Sequence, residues 1–406
     1  MKSVKEAREI ILSSVAVQTV EHVPLLRAHQ RTLAVDQVAS DDVPSFDNTS
    51  MDGYAVLSSD TAKASESSPV KLRVAGEISA GTTYSGALKS GDVVRIMTGA
   101  PIPRGADAVL EQEAVGARNG SVEVGTPVQP GRNIRKKGED IRAGGVVLSR
   151  GTYLQASHLG ALASIGILTI PVYRKPSVAF LTTGNELVEI GNTPAAGQIR
   201  NSNAYSLWGL IQEAGAEPVN LGIARDDETE LREKLRGGLN QDVLVTSGGV
   251  SVGTYDYVMQ SLEQLGVRRQ FWKVNIKPGM PLFYGVYHDA ERKRDIPVFG
   301  LPGNPVSTMV TFLQFVRPAL YKMTGREGNA GLRLMATLEQ DIRKKDTKRH
   351  FVRGIVRNER GGLIVATTGT QSSGALTSMA KANCLIIIPE DTLEIKAGEE
   401  AEIELL

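Results

Sequence analysis

Four short apolar runs constrain this chain more than anything else in it. They are SVAFLTTG (177–184), PVNLGIARDD (218–227), DVLVTSGG (242–249) and IPVFGLPGNP (296–305), each closed by a polar or glycine-rich turn. In the first, third and fourth the apolar residues do not alternate with polar ones, the pattern of a strand buried on both faces; the second reads as a further strand. AYSLWGLIQEAGA separates the first two, with apolar residues at 204, 207, 210, 211 and 214, the spacing of a helix that packs along one side. Asn201-Ser202-Asn203 stands before it as a cap. ETELREKLRGGL and YDYVMQSLEQLG also read as helices, and the fourth run enters an apolar helix at about 306–322. Repeated β-α units with buried strands predict a parallel, doubly wound sheet.

In such a sheet, ligands bind outside the carboxyl ends of the strands. That rule singles out Thr182-Thr183-Gly184-Asn185-Glu186, Asp226-Asp227, the stretch from Ser247 through Gly248, Gly249 and Ser251 to Asp256, and the turn Gly300-Leu301-Pro302-Gly303-Asn304-Pro305. Three acids and two glycine-rich turns then share one edge. Taken singly each has an ordinary reading: Asp226-Asp227 can start a helix, Glu186 can be a loop acid, Gly248-Gly249 a turn. SGGVSVG is neither GxGxxG nor a P-loop, which excludes the common dinucleotide and nucleotide motifs. Carboxylates beside backbone N–H donors suit a divalent cation placed between acid and phosphate, and Mg²⁺ takes one or two carboxylates with phosphate oxygens. Downstream, Lys273 and Lys277 lie in WKVNIKPG, either as strand lysines extended to solvent or as anion ligands beside a Lys-Pro-Gly turn.

The rest of the chain reads differently. Residues 3–16 carry a helical pattern, and 20–45 are extended, interrupted by Pro24 and Pro44. From 46 to 145 short β-like runs alternate with Gly, Pro and Ser, and a helical pattern returns at 155–166. After about 330 strands dominate again, as expected of a small barrel or sandwich. Ordinary turn chemistry accounts for the polar turns around Asp52, Thr98 and Asp140. A net charge of +1 argues against a nucleic-acid binder. The amphipathic N-terminus is no signal peptide, no apolar run is long enough to span a bilayer, and a cytoplasmic location is expected. Cys384 is the single cysteine, in a run expected to be a buried strand, and the five scattered histidines offer no zinc-binding spacing.

NTSMDGYA, GEISAG, VRIMTGAPIPRGADAVLEQE, GRNIRKKGEDI, LTTGNELVEIG, GQIRNSN, LVTSGGVSVGTYDY, IKPGMPLFYG and GLPGNPVS occur in that order. Together they resemble the molybdopterin molybdenumtransferase family, the molybdenum insertases related to the E domain of gephyrin. The resemblance covers nearly the whole chain. It implies four domains: an elongated linker from 1–45 and 146–175, a β-rich domain over 46–145, a molybdopterin-binding α/β domain over 176–328, and a C-terminal β-barrel over 329–406. It also implies a homodimer with its cleft between the α/β domain of one chain and the β-rich domain of the other. The reaction implied is adenylylated molybdopterin plus molybdate giving molybdenum cofactor and AMP, with Mg²⁺.

By the same resemblance Asp52, Thr98, Asp140, Glu186, Asp226 (or its neighbour Asp227) and Asp256 form the acidic active site, with Glu186 and Asp256 on Mg²⁺. Gly184, Ser247, Gly248, Gly249, Ser251, Pro302, Gly303, Asn304 and Pro305 cradle pterin and phosphate. Lys273 and Lys277, with Arg353 and Ser378 from the last domain, hold the oxyanion. The family commonly reads KPGKP where this chain has Lys277-Pro278-Gly279-Met280-Pro281, so one expected molybdate ligand is replaced by Met280. Two related enzymatic readings follow: a tungstate-handling paralogue, or the preceding step, molybdopterin adenylylation, whose enzyme is also a possible partner. A gephyrin-like scaffold is the non-enzymatic reading.

Overall fold

The strand Ser177–Thr183 explains the core. Val178 and Phe180 point into one apolar cluster, and Ala179 and Leu181 into another on the opposite face. All four are fully buried, so the unbroken apolar run is what a strand covered on both sides requires. The computed structural model describes residues 1–225, 227–250, 257–326, 331–359 and 361–406.

Six strands form the central sheet in the spatial order Glu217–Ala224, Ser177–Thr183, Val243–Ser247, Arg294–Leu301, Phe283–Asp289, Arg268–Trp272. The first four are parallel, as the β-α repeats predict. Phe283–Asp289 runs against them, antiparallel to both of its neighbours, so the expected all-parallel sheet is mixed at one edge. The reason is connection length. Only residues 290–293 join Phe283–Asp289 to Arg294–Leu301, too few for the crossover that a parallel pair needs. The second strand in the chain lies on one side of Ser177–Thr183 and the third on the other. That reversal is a topological switch point, and it opens a crevice beyond the ends of Ser177–Thr183 and Val243–Ser247.

The helices form where their caps and stripes predict. Asn201 accepts the N–H of Ala204 at the start of Ser202–Glu213, which buries Ala204, Leu207, Leu210 and Ile211. Asp227 caps Glu228–Gly238 by accepting the N–H of Glu230 at 2.8 Å. The helix expected at 306–322 is broken instead: a π-helical turn, Phe312–Val316, separates Pro305–Thr311 from Arg317–Met323. Pro318 lacks the N–H that a continuous α-ladder needs there, and the wider turn absorbs the gap.

The N-terminal helix Val4–Ser13 has a capping box between Ser3 and Glu6, and its stripe of Val4, Ala7 and Ile11 joins the cluster holding Phe271 and Phe315. It therefore packs on the α/β unit. Beyond it, Val20–Pro24 pairs with Thr169–Tyr173, and Gln37–Val38 with Val146–Leu148, around Leu33, Leu154 and Leu162. A separate six-stranded sheet spans Gly53–Val56 to Ser121–Val124 in the chain, with apolar clusters on both faces.

The C-terminal strands close into a barrel, because Arg349–Glu359 pairs with both Gly362–Thr367 and Cys384–Ile388. Cys384 is fully buried in its wall, and burial pushes its thiol up to about 11. It is a core residue with no thiolate available near neutral pH. A two-residue strand of the α/β unit, Ile276–Lys277, pairs in parallel with Arg349 and His350 and joins the two units edge to edge.

Candidate functional site

The switch-point crevice is a real cavity of about 470 Å³. Its walls include Gly184 and Glu186 from the first strand end, Ser247, Gly248 and Gly249 from the third, and Pro302, Gly303, Asn304 and Pro305 from the last parallel strand. Nine residues picked out by sequence are thus gathered in one place.

The glycines are there because backbone must touch backbone. Gly248 has φ +96°, and a Cβ on it would fall 2.7 Å from Thr183 Oγ1 and 2.9 Å from the Thr183 carbonyl oxygen. Gly249 has φ +67°, and a Cβ there would meet Val258 at 2.3 Å. A Cβ on Gly303 would lie 3.6 Å from the Gly248 Cα, so the two turns approach each other closely.

A polar staple fixes that contact. Asn203 Nδ2 donates to Ser247 Oγ at 2.9 Å and to the Gly303 carbonyl at 2.8 Å. Thr308 Oγ1 donates to the Pro302 carbonyl at 2.6 Å. Asn203 Oδ1 is buried without a partner among the described residues. Sequence reasoning treated Asn203 only as part of a helix-capping triplet. Its position in the first turn, facing the strand ends, was the available signal.

Glu186 sits on the cavity wall with its carboxylate over Gly184: a Cβ on Gly184 would lie 2.3 Å from Glu186 Oε2. Arg225, also missed, donates to the carbonyls of Asn185 at 3.1 Å and Leu187 at 2.9 Å and so grips the loop on both sides of Glu186. Asp226, Ser251 and Asp256 lie outside the described residues. Asp227 is engaged as a helix cap. Among the described residues there is no cluster of three or more His, Cys, Asp or Glu side chains able to hold a metal.

Lys277 and Arg353 fall along the seam with the barrel, and Lys273 lies on the α/β unit. Trp272 donates its indole N–H to the Val250 carbonyl at 3.0 Å, and the Lys273 ammonium stacks 3.9 Å from the Trp272 ring centre. Lys273 therefore stands beside the glycine turn. Lys277 does not line the cavity; it is exposed and lies 3.4 Å from Asp346 of the barrel. Arg353 is only 2 % exposed and donates to Ser378 Oγ and to the Ser372 carbonyl, each at 3.2 Å. Among the described residues it has no carboxylate within ion-pair distance, and burial lowers its pKa. The adjoining Ser373 accepts from Asn304 Nδ2 at 3.1 Å, and its carbonyl accepts the Val306 N–H at 3.1 Å. Arg353 and Ser378 thus reach the cavity turn through one barrel loop.

Asp52 and Thr98 are brought together elsewhere. Asp52 Oδ1 accepts the Thr98 hydroxyl and the Thr98 backbone N–H, each at 2.7 Å, and these bonds hold its carboxyl below the usual range. Asp140 is held apart from that pair: its backbone N–H bonds the Val43 carbonyl at 3.1 Å, beside the Val43–Ile141 bridge that packs on the cluster of Leu33, Leu154 and Leu162. No described residue of 46–145 lines the switch-point cavity.

The fold and site define a multidomain α/β protein with a glycine-walled crevice at a switch point, one turn of which is tied to a C-terminal barrel. Three family models match the chain: the MoeA N-terminal region (domain I and II) over 2–166, a probable molybdopterin binding domain over 179–322, and the MoeA C-terminal region (domain IV) over 335–406. A molybdopterin molybdenumtransferase of Haemophilus influenzae is 37% identical over 409 aligned residues, covering 100% of this chain and 98% of that protein. One from Bacillus subtilis is 36% identical, covering 95% and 90%. The crystal structure of a molybdopterin biosynthesis moeA protein from Pyrococcus horikoshii OT3 superposes with a TM-score of 0.86 at 33% identity, covering 100% of both chains.

The chain belongs to the molybdopterin molybdenumtransferase family. It is a transferase of molybdenum-cofactor biosynthesis. No helix among the described residues is long and apolar enough to cross a membrane.

Proposed function

We propose that this chain transfers molybdenum from molybdate to adenylylated molybdopterin, releasing AMP and leaving the molybdenum cofactor. The observation that supports it most is the crevice at the switch point, about 470 Å³ and walled by two touching glycine turns and Glu186. That volume suits a small heterocycle with its phosphate. Ser247, Gly248, Gly249, Pro302, Gly303, Asn304 and Pro305, with Ser251, bind pterin and phosphate, largely through backbone groups. Ser247 is held by Asn203, which orients that wall before substrate arrives.

Glu186 offers one hard oxygen donor on the wall, which fits a Mg²⁺ site completed by phosphate oxygens and by Asp256. When bound, Mg²⁺ offsets the charge that accumulates on the departing AMP phosphate. Asp226 is assigned to the same acidic set by the family resemblance alone. Lys273, Lys277, Arg353 and Ser378 present N–H and O–H donors to the molybdate dianion. Arg353 suits that role because its buried charge has no carboxylate partner among the described residues. Asp52, Thr98 and Asp140 come from the β-rich domain of a second copy, so the working unit is a homodimer in the cytoplasm that receives its substrate from a molybdopterin adenylyltransferase.

The test is AMP release from adenylylated molybdopterin with Mg²⁺, run with molybdate and tungstate in parallel, on wild type and Met280→Lys. Release with molybdate, and a lower half-saturating oxyanion concentration in Met280→Lys, is expected. No release with either oxyanion would remove the insertase reading. ATP consumption with free molybdopterin would indicate the adenylylating step instead.

A further inference from the structure

We propose that Asp346 is a resident anion that tethers Lys277 and competes for it with the incoming oxyanion, so that a barrel residue sets how tightly the site takes its oxyanion. The inference rests on Lys277 acting as an oxyanion ligand. The strand pairing of Ile276–Lys277 with Arg349 and His350 lays the 344–348 loop beside Lys277. Asn275 Nδ2 donates to the Thr347 carbonyl at 2.8 Å, and the Arg349 N–H to the Asn275 carbonyl at 3.1 Å, which hold the loop there.

The Asp346 carboxylate has three partners of unequal hold. Oδ1 bonds His350 Nε2 at 2.7 Å and accepts the Lys348 backbone N–H at 3.1 Å. Oδ2 faces Lys277 Nζ at 3.4 Å. His350 is buried and the Lys348 N–H is backbone, whereas the Lys277 side chain is 58% exposed on a flexible stem. Lys277 is the partner that can leave, and the two bonds to Oδ1 keep the carboxylate in place when it does. Nearby cations are engaged: Lys344 Nζ donates to the carbonyls of Lys348 at 2.7 Å and Glu390 at 3.1 Å, and Arg349 pairs with Glu390 at 2.9 Å. Met280 adds no charge. A second anion approaching Lys277 therefore meets an established negative charge, and its binding is weakened by that repulsion.

Equilibrium dialysis of the full chain against sodium molybdate at fixed ionic strength tests this. Asp346→Asn keeps the side-chain oxygen for the Lys348 N–H and is expected to bind molybdate about fivefold more tightly. Lys277→Met should weaken binding, and in that background Asp346→Asn should change nothing further. Equal or weaker binding by Asp346→Asn, or the same gain in the Lys277→Met background, overturns the inference and leaves the role of Lys277 standing if Lys277→Met is itself weakened. Wild-type affinity in Lys277→Met, or no saturable molybdate binding by the wild type, overturns both.

Discussion

Asn203 Nδ2 reaches Ser247 Oγ at 2.9 Å across 44 residues of chain, and the same nitrogen holds the Gly303 carbonyl at 2.8 Å. One amide in the first turn of a helix therefore ties together the ends of two central strands. The cavity keeps its shape because of this staple. Its donors are spent within the protein, so Asn203 is a part of the wall.

Replacing Asn203 with Ala leaves Ser247 and the Gly303 carbonyl without this donor. Loss of hydrogen bonds to partly buried partners costs about 1–3 kcal/mol. Urea unfolding should report a lower midpoint with an unchanged slope. The half-saturating concentration of adenylylated molybdopterin should rise about tenfold, since the two turns are no longer pinned.

Gly248→Ala introduces a Cβ against the Thr183 carbonyl, at a backbone angle that L-residues rarely adopt. The strain and clash should destabilise by about 1–3 kcal/mol. Substrate binding should fall more than this stability loss suggests, because the turn that moves is the cavity wall. Thermal unfolding alongside substrate titration separates the two effects. An alanine at the open position Gly197 (φ +81°) controls for backbone strain alone.

Thr98→Val removes the hydroxyl that does most to hold Asp52 ionised, while the backbone N–H bond remains. The Asp52 pKa then rises toward its ordinary value. If the ionised acid is the working form, the acid limb of the activity profile moves to higher pH. A limb in the same place as wild type would show that Asp52 ionisation does not govern the rate.

Arg353→Met exchanges a buried guanidinium, which lacks a carboxylate partner among the described residues, for an apolar side chain of similar length. The hydrogen bonds to Ser378 and Ser372 are lost, but so is the cost of burying the charge. The melting temperature should change by no more than a few degrees. The half-saturating molybdate concentration should rise at least about tenfold, as a donor to the dianion is removed. A large fall in melting temperature with unaltered molybdate dependence would assign Arg353 to the barrel core alone.

Much of the α/β unit was legible because its signals are local. The apolar runs that became Ser177–Thr183 and Val243–Ser247 are bracketed by turns, and the caps Asn201 and Asp227 precede the helices they start. The mixed edge of the sheet was not legible. Phe283–Asp289 and Arg294–Leu301 look like other buried strands, and only the four-residue connection between them dictates their direction. The π turn at Phe312–Val316 was likewise hidden in a run whose apolar pattern is helical throughout.

The sequence alone determined which turns are glycine-rich, which acids follow strands and where Met280 replaces a charge, because these depend on residue type within a few positions. Tertiary structure alone decided what those groups face. Asp52 meets Thr98 across 46 residues, and Asp346 meets Lys277 across 69. Strand order placed Gly184, Gly248 and Gly303 around one cavity. Pairing of Lys277 with His350 then set a barrel carboxylate against an α/β lysine. Such contacts come from chain topology and sheet closure, whose energetics are spread over whole strands and leave no mark at the residues they join.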